Sequence, residues 1–234
     1  MQKLIFFQLL LTVFFDSSLY AQPKAVCEPF VIAKTSEPFQ KPVWSDDGNT
    51  LYFSSLETGM MWSVSRNGDH LLQVAFQEVI HRKTEGTLLQ QMMNDPVKTT
   101  SKVKALESLS GYMIFNPVLS PKGDKIVFQV SRGKGMYVCD SDGANLRPLS
   151  EKAQNATWMP DAKYIVAMIT EDDGHSVSKG ELVCIEVATG TTFPLLSSDK
   201  YVAFHPAVSP DGKKLAFEDY AKGVIYVMDL EESK

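Results

Sequence analysis

One short pattern returns along this chain, and such repetition constrains a fold more than composition does. Each copy must form the same unit and bury it against its neighbours. The first copy reads Pro42-Val43-Trp44-Ser45-Asp46-Asp47-Gly48, followed by Leu51-Tyr52-Phe53. The second reads Pro117-Val118-Leu119-Ser120-Pro121-Lys122-Gly123, followed by Ile126-Val127-Phe128. A third, Pro206-Ala207-Val208-Ser209-Pro210-Asp211-Gly212, precedes Leu215-Ala216-Phe217. Between these two lies a worn copy, Ala156-Thr157-Trp158-Met159-Pro160-Asp161-Ala162, ahead of Tyr164-Ile165-Val166-Ala167.

Each copy describes two strands and the turn between them. Proline presets φ at the first turn position, aspartate tolerates the second, and glycine takes the left-handed conformation that reverses the chain. The residues that follow are rich in branched and aromatic side chains, which suit a strand. Third strands are read at Met136–Cys139, Glu181–Val187 and Ile225–Met228, and a fourth at Leu146–Leu149. The anchors at 42, 117, 156 and 206 are 75, 39 and 50 residues apart. A four-stranded propeller blade takes about 40–45 residues. The wide first gap therefore predicts a degenerate blade over 77–109, with later strands at Thr87–Met92 and Ser101–Leu106. The third gap predicts a polar loop inserted at Glu171–Lys179.

The expected fold is thus all-β: a β-propeller of four-stranded antiparallel blades, five in number, with six as the alternative. The blades are placed at about 39–76, 77–109, 110–150, 151–197 and 198–234. The last copy has no fourth strand of its own. A stretch at about 30–35 (Phe30-Val31-Ile32-Ala33-Lys34 and the residue after it) is expected to supply it, which removes exposed sheet edges.

Asn116-Pro117-Val118-Leu119-Ser120-Pro121-Lys122-Gly123 with Asp140-Ser141-Asp142-Gly143-Ala144-Asn145-Leu146 resembles the TolB-like, WD-type repeat of exported bacterial proteins. His205-Pro206-Ala207-Val208-Ser209-Pro210-Asp211-Gly212 resembles it equally well. The resemblance covers roughly residues 30–234. It implies the propeller fold and an envelope location, but no single function, because such blades serve scaffolds, peptidase halves and some lyases. The chain departs from TolB itself in lacking its extra α/β domain and in blade number.

The N-terminus reads as a targeting segment. Lys3 is followed by an apolar run from Leu4 to Phe15, and Ser17, Ser18 and Ala21 precede a cut expected after Ala21. The run is too short for a bilayer span of about 20 residues. Residues 1–21 are therefore read as a signal peptide and 22–234 as one propeller domain, periplasmic or secreted, with no stable membrane insertion after cleavage. A net charge of −5, without a contiguous basic run, argues against nucleic-acid binding. Three cysteines, Cys27, Cys139 and Cys184, allow at most one disulfide, and no C-x-x-C spacing occurs. They are read as small buried hydrophobes.

No nucleophile elbow, H-E-x-x-H or phosphate-binding glycine loop is present, so no catalytic residue, metal ligand or cofactor is assigned. The alternative is a uronate lyase-like or metal-dependent enzyme. It would draw on His70, His81, His175 and His205, whose scattered placement argues against convergence. Asp172-Asp173-Gly174-His175 lacks the alternating oxygen ligands of a calcium loop. Trp44 and Trp158 share one repeat position and are expected to pack between blades. Lys41, Asn116, Asn155 and His205 each immediately precede an anchor. They are expected to circle the channel mouth, where they bind a ligand or satisfy local backbone groups. The favoured function is a monomeric binding or scaffolding module for a protein or peptide.

Overall fold

The repeats become sheets whose strands run out from a common centre. The computed structural model describes residues 22–75, 87–172 and 177–232. The first sheet holds β3 (Phe39–Trp44), β4 (Thr50–Ser55), β5 (Met61–Ser65) and β6 (Leu72–Val74) in sequence order. The second holds β7 (Ile114–Leu119), β8 (Lys125–Val130), β9 (Gly135–Asp140) and β10 (Arg147–Ser150). The third holds β11 (Gln154–Trp158), β12 (Tyr164–Asp172), β13 (Val177–Glu186) and β14 (Thr192–Leu196). The last is built on β15 (Ala203–Val208), β16 (Lys214–Asp219) and β17 (Val224–Glu232). Two N-terminal strands, β1 (Pro23–Ala25) and β2 (Phe30–Ala33), both pair antiparallel with β17. The first strands of all four sheets line one central cavity of about 580 Å³.

The turns form as their residues dictate. Ser45, Ser120 and Ser209 each accept a backbone N–H across the turn with the hydroxyl and donate that hydroxyl to the turn's aspartate. Gly48, Gly123 and Gly212 take φ of 69°, 74° and 72°. The worn copy keeps the same turn with Ala162 at φ 59°.

Blades pack face to face. Trp44, Leu51 and Phe53 of the first meet Ala216, Ile225 and Val227 of the last. Val166 and Leu182 meet Leu215, Phe217 and Met228, while Trp158 and Ile165 meet Val127 and Val138. As expected, both tryptophans are buried between blades. Each indole also donates to a neighbouring inner strand: Trp44 to the Ala207 carbonyl and Trp158 to that of Val118, both at 3.0 Å. The first and last blades are further clamped by Arg66, 2.8 Å from the Asp211 carboxylate. Burial pushes the Asp211 pKa up. The Ser209 hydroxyl, the Lys213 N–H and the Arg66 guanidinium outweigh that burial and hold it at about 2.

Three expectations are corrected. Thr87–Met92 and Ser101–Leu106 are not strands. The chain there forms α1 (Leu88–Asn94), α2 (Pro96–Lys102) and a 3-10 helix (Lys104–Leu109). Thr87 caps α1 by accepting the Gln90 N–H, and Asp95 caps α2 with Pro96 in its first turn. Such caps and an early proline favour helix. Leu88, Leu89, Met92 and Leu106 cover Ile126, Phe128 and Cys139 of the second blade. Helices thus lie, in sequence and in space, where a preceding blade would pack, and residues 77–86 of that expected blade lie outside the described residues. Glu171–Lys179 is not simply a loop, because β12 and β13 extend into it, pairing Glu171 with Lys179 and Asp172 with Val177. Cys139 and Cys184 are buried as expected, but Cys27 is exposed. It sits in the break between β1 and β2, where its thiol accepts the Asp229 N–H at 3.3 Å.

All three cysteines are free thiols. Burial pushes the Cys139 and Cys184 thiols up to about 12. A maleimide at neutral pH is therefore expected to label Cys27 alone in the native protein and all three after unfolding, as counted by mass spectrometry. The turns give a second test. A Cβ on Gly123 would meet nothing within 4 Å, whereas one on Gly212 would lie 3.2 Å from Pro160 of the adjoining blade. Gly123→Ala should cost about 1 kcal/mol for the left-handed backbone alone. Gly212→Ala should cost more, and calorimetry of the two variants compares them directly.

Candidate functional site

The four residues that precede the anchors share a conformation as well as a repeat position. Lys41, Asn116, Asn155 and His205 have φ of 53°, 47°, 47° and 46°, the left-handed region that non-glycine residues seldom enter. Each lies within a register shift of its inner strand: between Gln40 and Val43, Phe115 and Val118, Gln154 and Thr157, and Phe204 and Ala207. These are β-bulges, which re-aim a side chain away from the ladder.

The bulges are tied together across blades. Gln129 on β8 and Glu218 on β16 occupy equivalent positions, opposite Phe115 and Phe204. Gln129 accepts the Asn116 side-chain amide at 3.1 Å within its own blade and the Asn155 backbone N–H at 3.2 Å in the next. Glu218 accepts His205 Nδ1–H at 2.9 Å within its own blade and the Lys41 N–H at 2.6 Å in the next. Asn116 also donates to the Asn155 side-chain oxygen. The structure therefore brings the four expected residues together in two pairs, Asn116 with Asn155 and His205 with Lys41. Glu218 is the notable addition: only 4% of its side chain is exposed, and donors stand against the charge it buries. With Nδ1 of His205 committed to Glu218, Nε2 is the ring's remaining polar atom.

Aromatic groups flank the bulges. Phe115 is 42% exposed, and Phe204 stacks on the exposed Tyr220 with centroids 4.8 Å apart. Gln129 and Glu218 were missed in the sequence because a Gln in one copy and a Glu in another look like ordinary strand polar residues. Their signal is positional, each lying one residue after the buried phenylalanine of the second strand (Phe128, Phe217).

The remaining candidates do not join this site. His70 lies exposed on the turn after β5, with φ 57°. His81 and His175 lie outside the described residues, as do Asp173 and Gly174 of the cation-like loop. Among the described residues, no group of three His, Cys, Asp or Glu side chains could hold a metal ion. No helix among them is long and apolar enough to cross a membrane. The signal segment 1–21 also lies outside them.

Four-stranded antiparallel sheets packed face to face, with their first strands around one cavity, decide the architecture. The fold is a β-propeller. No profile of a known protein family matches the chain. It is 29% identical over 179 residues to the uncharacterized peptidase YuxL of Bacillus subtilis (strain 168), which covers 75% of this chain and 21% of that protein. The propeller thus spans about a fifth of that relative's length. Among solved structures it is similar to a protein assigned as TolB from Agrobacterium tumefaciens, at 18% identity and a TM-score of 0.42, covering 91% of this chain and 68% of that one. It is also similar to TolB from Acinetobacter baumannii, at 14% identity and a TM-score of 0.35, covering 88% and 46%.

The bulge ties have a measurable consequence. Glu218→Ala leaves the Lys41 N–H and His205 Nδ1 without their acceptor, which should cost about 1–3 kcal/mol. Glu218→Gln keeps an acceptor oxygen, as Gln129 does at the equivalent position, and should cost less. Urea unfolding of the two variants measures the difference.

Proposed function

We propose that this propeller is a non-catalytic protein- or peptide-binding module of the bacterial cell envelope that engages its partner at the bulge-lined mouth. One observation carries the reading. Four polar residues hold an unfavourable backbone conformation at one repeat position, and hydrogen bonds to Gln129 and Glu218 tie them there. Non-glycine residues in this region cost on the order of 1–3 kcal/mol each and cluster at ligand-binding sites. The mouth offers donors and acceptors of mixed kind (Lys41 Nζ, the Asn116 and Asn155 amides, His205 Nε2) beside the aromatic faces of Phe115 and Phe204. A peptide chain needs that mixture, since it presents amide donors, carbonyl acceptors and apolar side chains together. The N-terminal apolar segment and the resemblance to the TolB-like repeat support export.

The test is capture from a bacterial envelope extract with tagged protein. Wild type should recover the same protein repeatedly. An Asn116→Ala/His205→Ala variant that unfolds within a few degrees of wild type should recover at least tenfold less. No recurrent partner, or equal recovery by the variant, would overturn the proposal.

A further inference from the structure

The chain is acidic overall, yet one sector beside the mouth is basic and apolar. Met113 is 40% exposed and Phe115 42% exposed on β7 and its approach. They lead outward from Asn116 to Tyr112. The β8–β9 turn closes over the same place: the Ser131 N–H donates to the Met113 carbonyl at 2.9 Å, and the Met113 N–H to the Ser131 hydroxyl at 3.0 Å. That turn carries Arg132 and Lys134, whose charged groups lie 5.7 and 5.2 Å from the centroid of the Tyr112 ring. Both are exposed, and neither has a carboxylate partner among the described residues. The helical insert adds charge of the same sign. Thr100 donates to the Tyr112 carbonyl at 3.1 Å, and exposed Lys102 and Lys104 follow it in the chain. Across 99–116 and 131–135 the sequence holds four cations and one carboxylate, Glu107, against a net charge of −5 for the whole chain.

From this complementarity we infer that the strip Tyr112–Phe115 with Arg132 and Lys134 docks an acidic segment of a partner protein, in which carboxylates alternate with apolar side chains. The inference rests on the protein-binding reading above and names the chemistry of the partner. The carboxylates face Arg132 and Lys134, the apolar side chains cover Met113 and Phe115, and the segment ends at the Asn116 amide. Tyr112 contributes by holding both cations in place, which lowers the side-chain entropy lost when they pair. An anionic membrane surface also attracts cations and apolar groups. A peptide is favoured because the strip runs into a row of amides, which match a peptide backbone and have no counterpart in a lipid headgroup.

The experiment uses fluorescence anisotropy with two dye-labelled hexapeptides, one alternating glutamate with phenylalanine and leucine, the other with lysine in place of glutamate. The glutamate peptide should bind at least tenfold more tightly and weaken as salt rises. Arg132→Asn/Lys134→Gln should weaken it by roughly tenfold, the expectation for losing two exposed pairs. Asparagine is chosen because Arg132 has φ 59°, which asparagine tolerates. A matching thermal unfolding curve shows that the variant is folded. Phe115→Ser should weaken both peptides. Equal binding of the two peptides, binding of neither, no effect of the double variant, or binding confined to phosphatidylglycerol vesicles would overturn the inference. Recurrent capture of a partner that Asn116→Ala/His205→Ala abolishes and Arg132→Asn/Lys134→Gln spares would keep the mouth reading and remove this one.

Discussion

The face-to-face burial of one sheet against the next holds the remaining structure in place, and the two inter-blade tryptophans show how that contact is given a register. Apolar surfaces attract without direction and would let two sheets slide. An indole N–H that must find an acceptor adds the missing direction, because leaving it unpaired in the interior is costly. Trp44 and Trp158 make the same bond to the same repeat position of the neighbouring inner strand, the carbonyls of Ala207 and Val118. Once the inner strands are pinned at that level, the bulge residues below them fall into line. Gln129 and Glu218 can then reach across to the backbone of the next blade.

The two ties are not chemically equal. The tie between the second and third blades uses a neutral amide, and the tie between the last and first uses a buried carboxylate. An amide can donate and accept at once: Gln129 receives both bonds of the tie on its oxygen and keeps an NH2 group that can donate. A carboxylate only accepts, so the seam at Glu218 needs donors from both sides, and the Lys41 N–H and His205 supply them. Repetition of backbone geometry has not imposed repetition of chemistry at this position, and the two ties between blades are dissimilar as a result.

How much of this was legible in the sequence depends on the residue type that carries each feature. The turns were plain, since Ser, Pro, Asp and Gly have few other uses in that order. The inter-blade role of Trp44 and Trp158 followed from their shared position. The helices over 88–109 were missed although their start signals are present: Thr87 before Leu88, and Asp95 before Pro96. The 75-residue gap between the anchors at 42 and 117 fits a whole extra blade and so points away from these local cues. That Lys41, Asn116, Asn155 and His205 share one repeat position was legible, but nothing in a Lys or His before proline announces a positive φ. The bulge becomes visible only through the register shifts. The basic strip was illegible for a simpler reason. Its cations come from an insert and a hairpin some 30 residues apart, and neither forms a charge run on its own.

The pairing of the N-terminal strands with β17 bears on how the molecule assembles. Pro23 lies opposite Glu232, and Val31 opposite Tyr226. Three of the sheets are made from consecutive strands and can form as soon as their own residues are available. The sheet built on β17 joins the two ends of the described chain, so its last contacts carry nearly the largest sequence separation the chain permits. Loop-closure entropy makes such contacts the slow ones. A chain emerging from its N-terminus must therefore keep Phe30 and Val31 unpaired until β17 follows. During that interval the edge with the longest wait belongs to β1 and β2, which precede every other described strand.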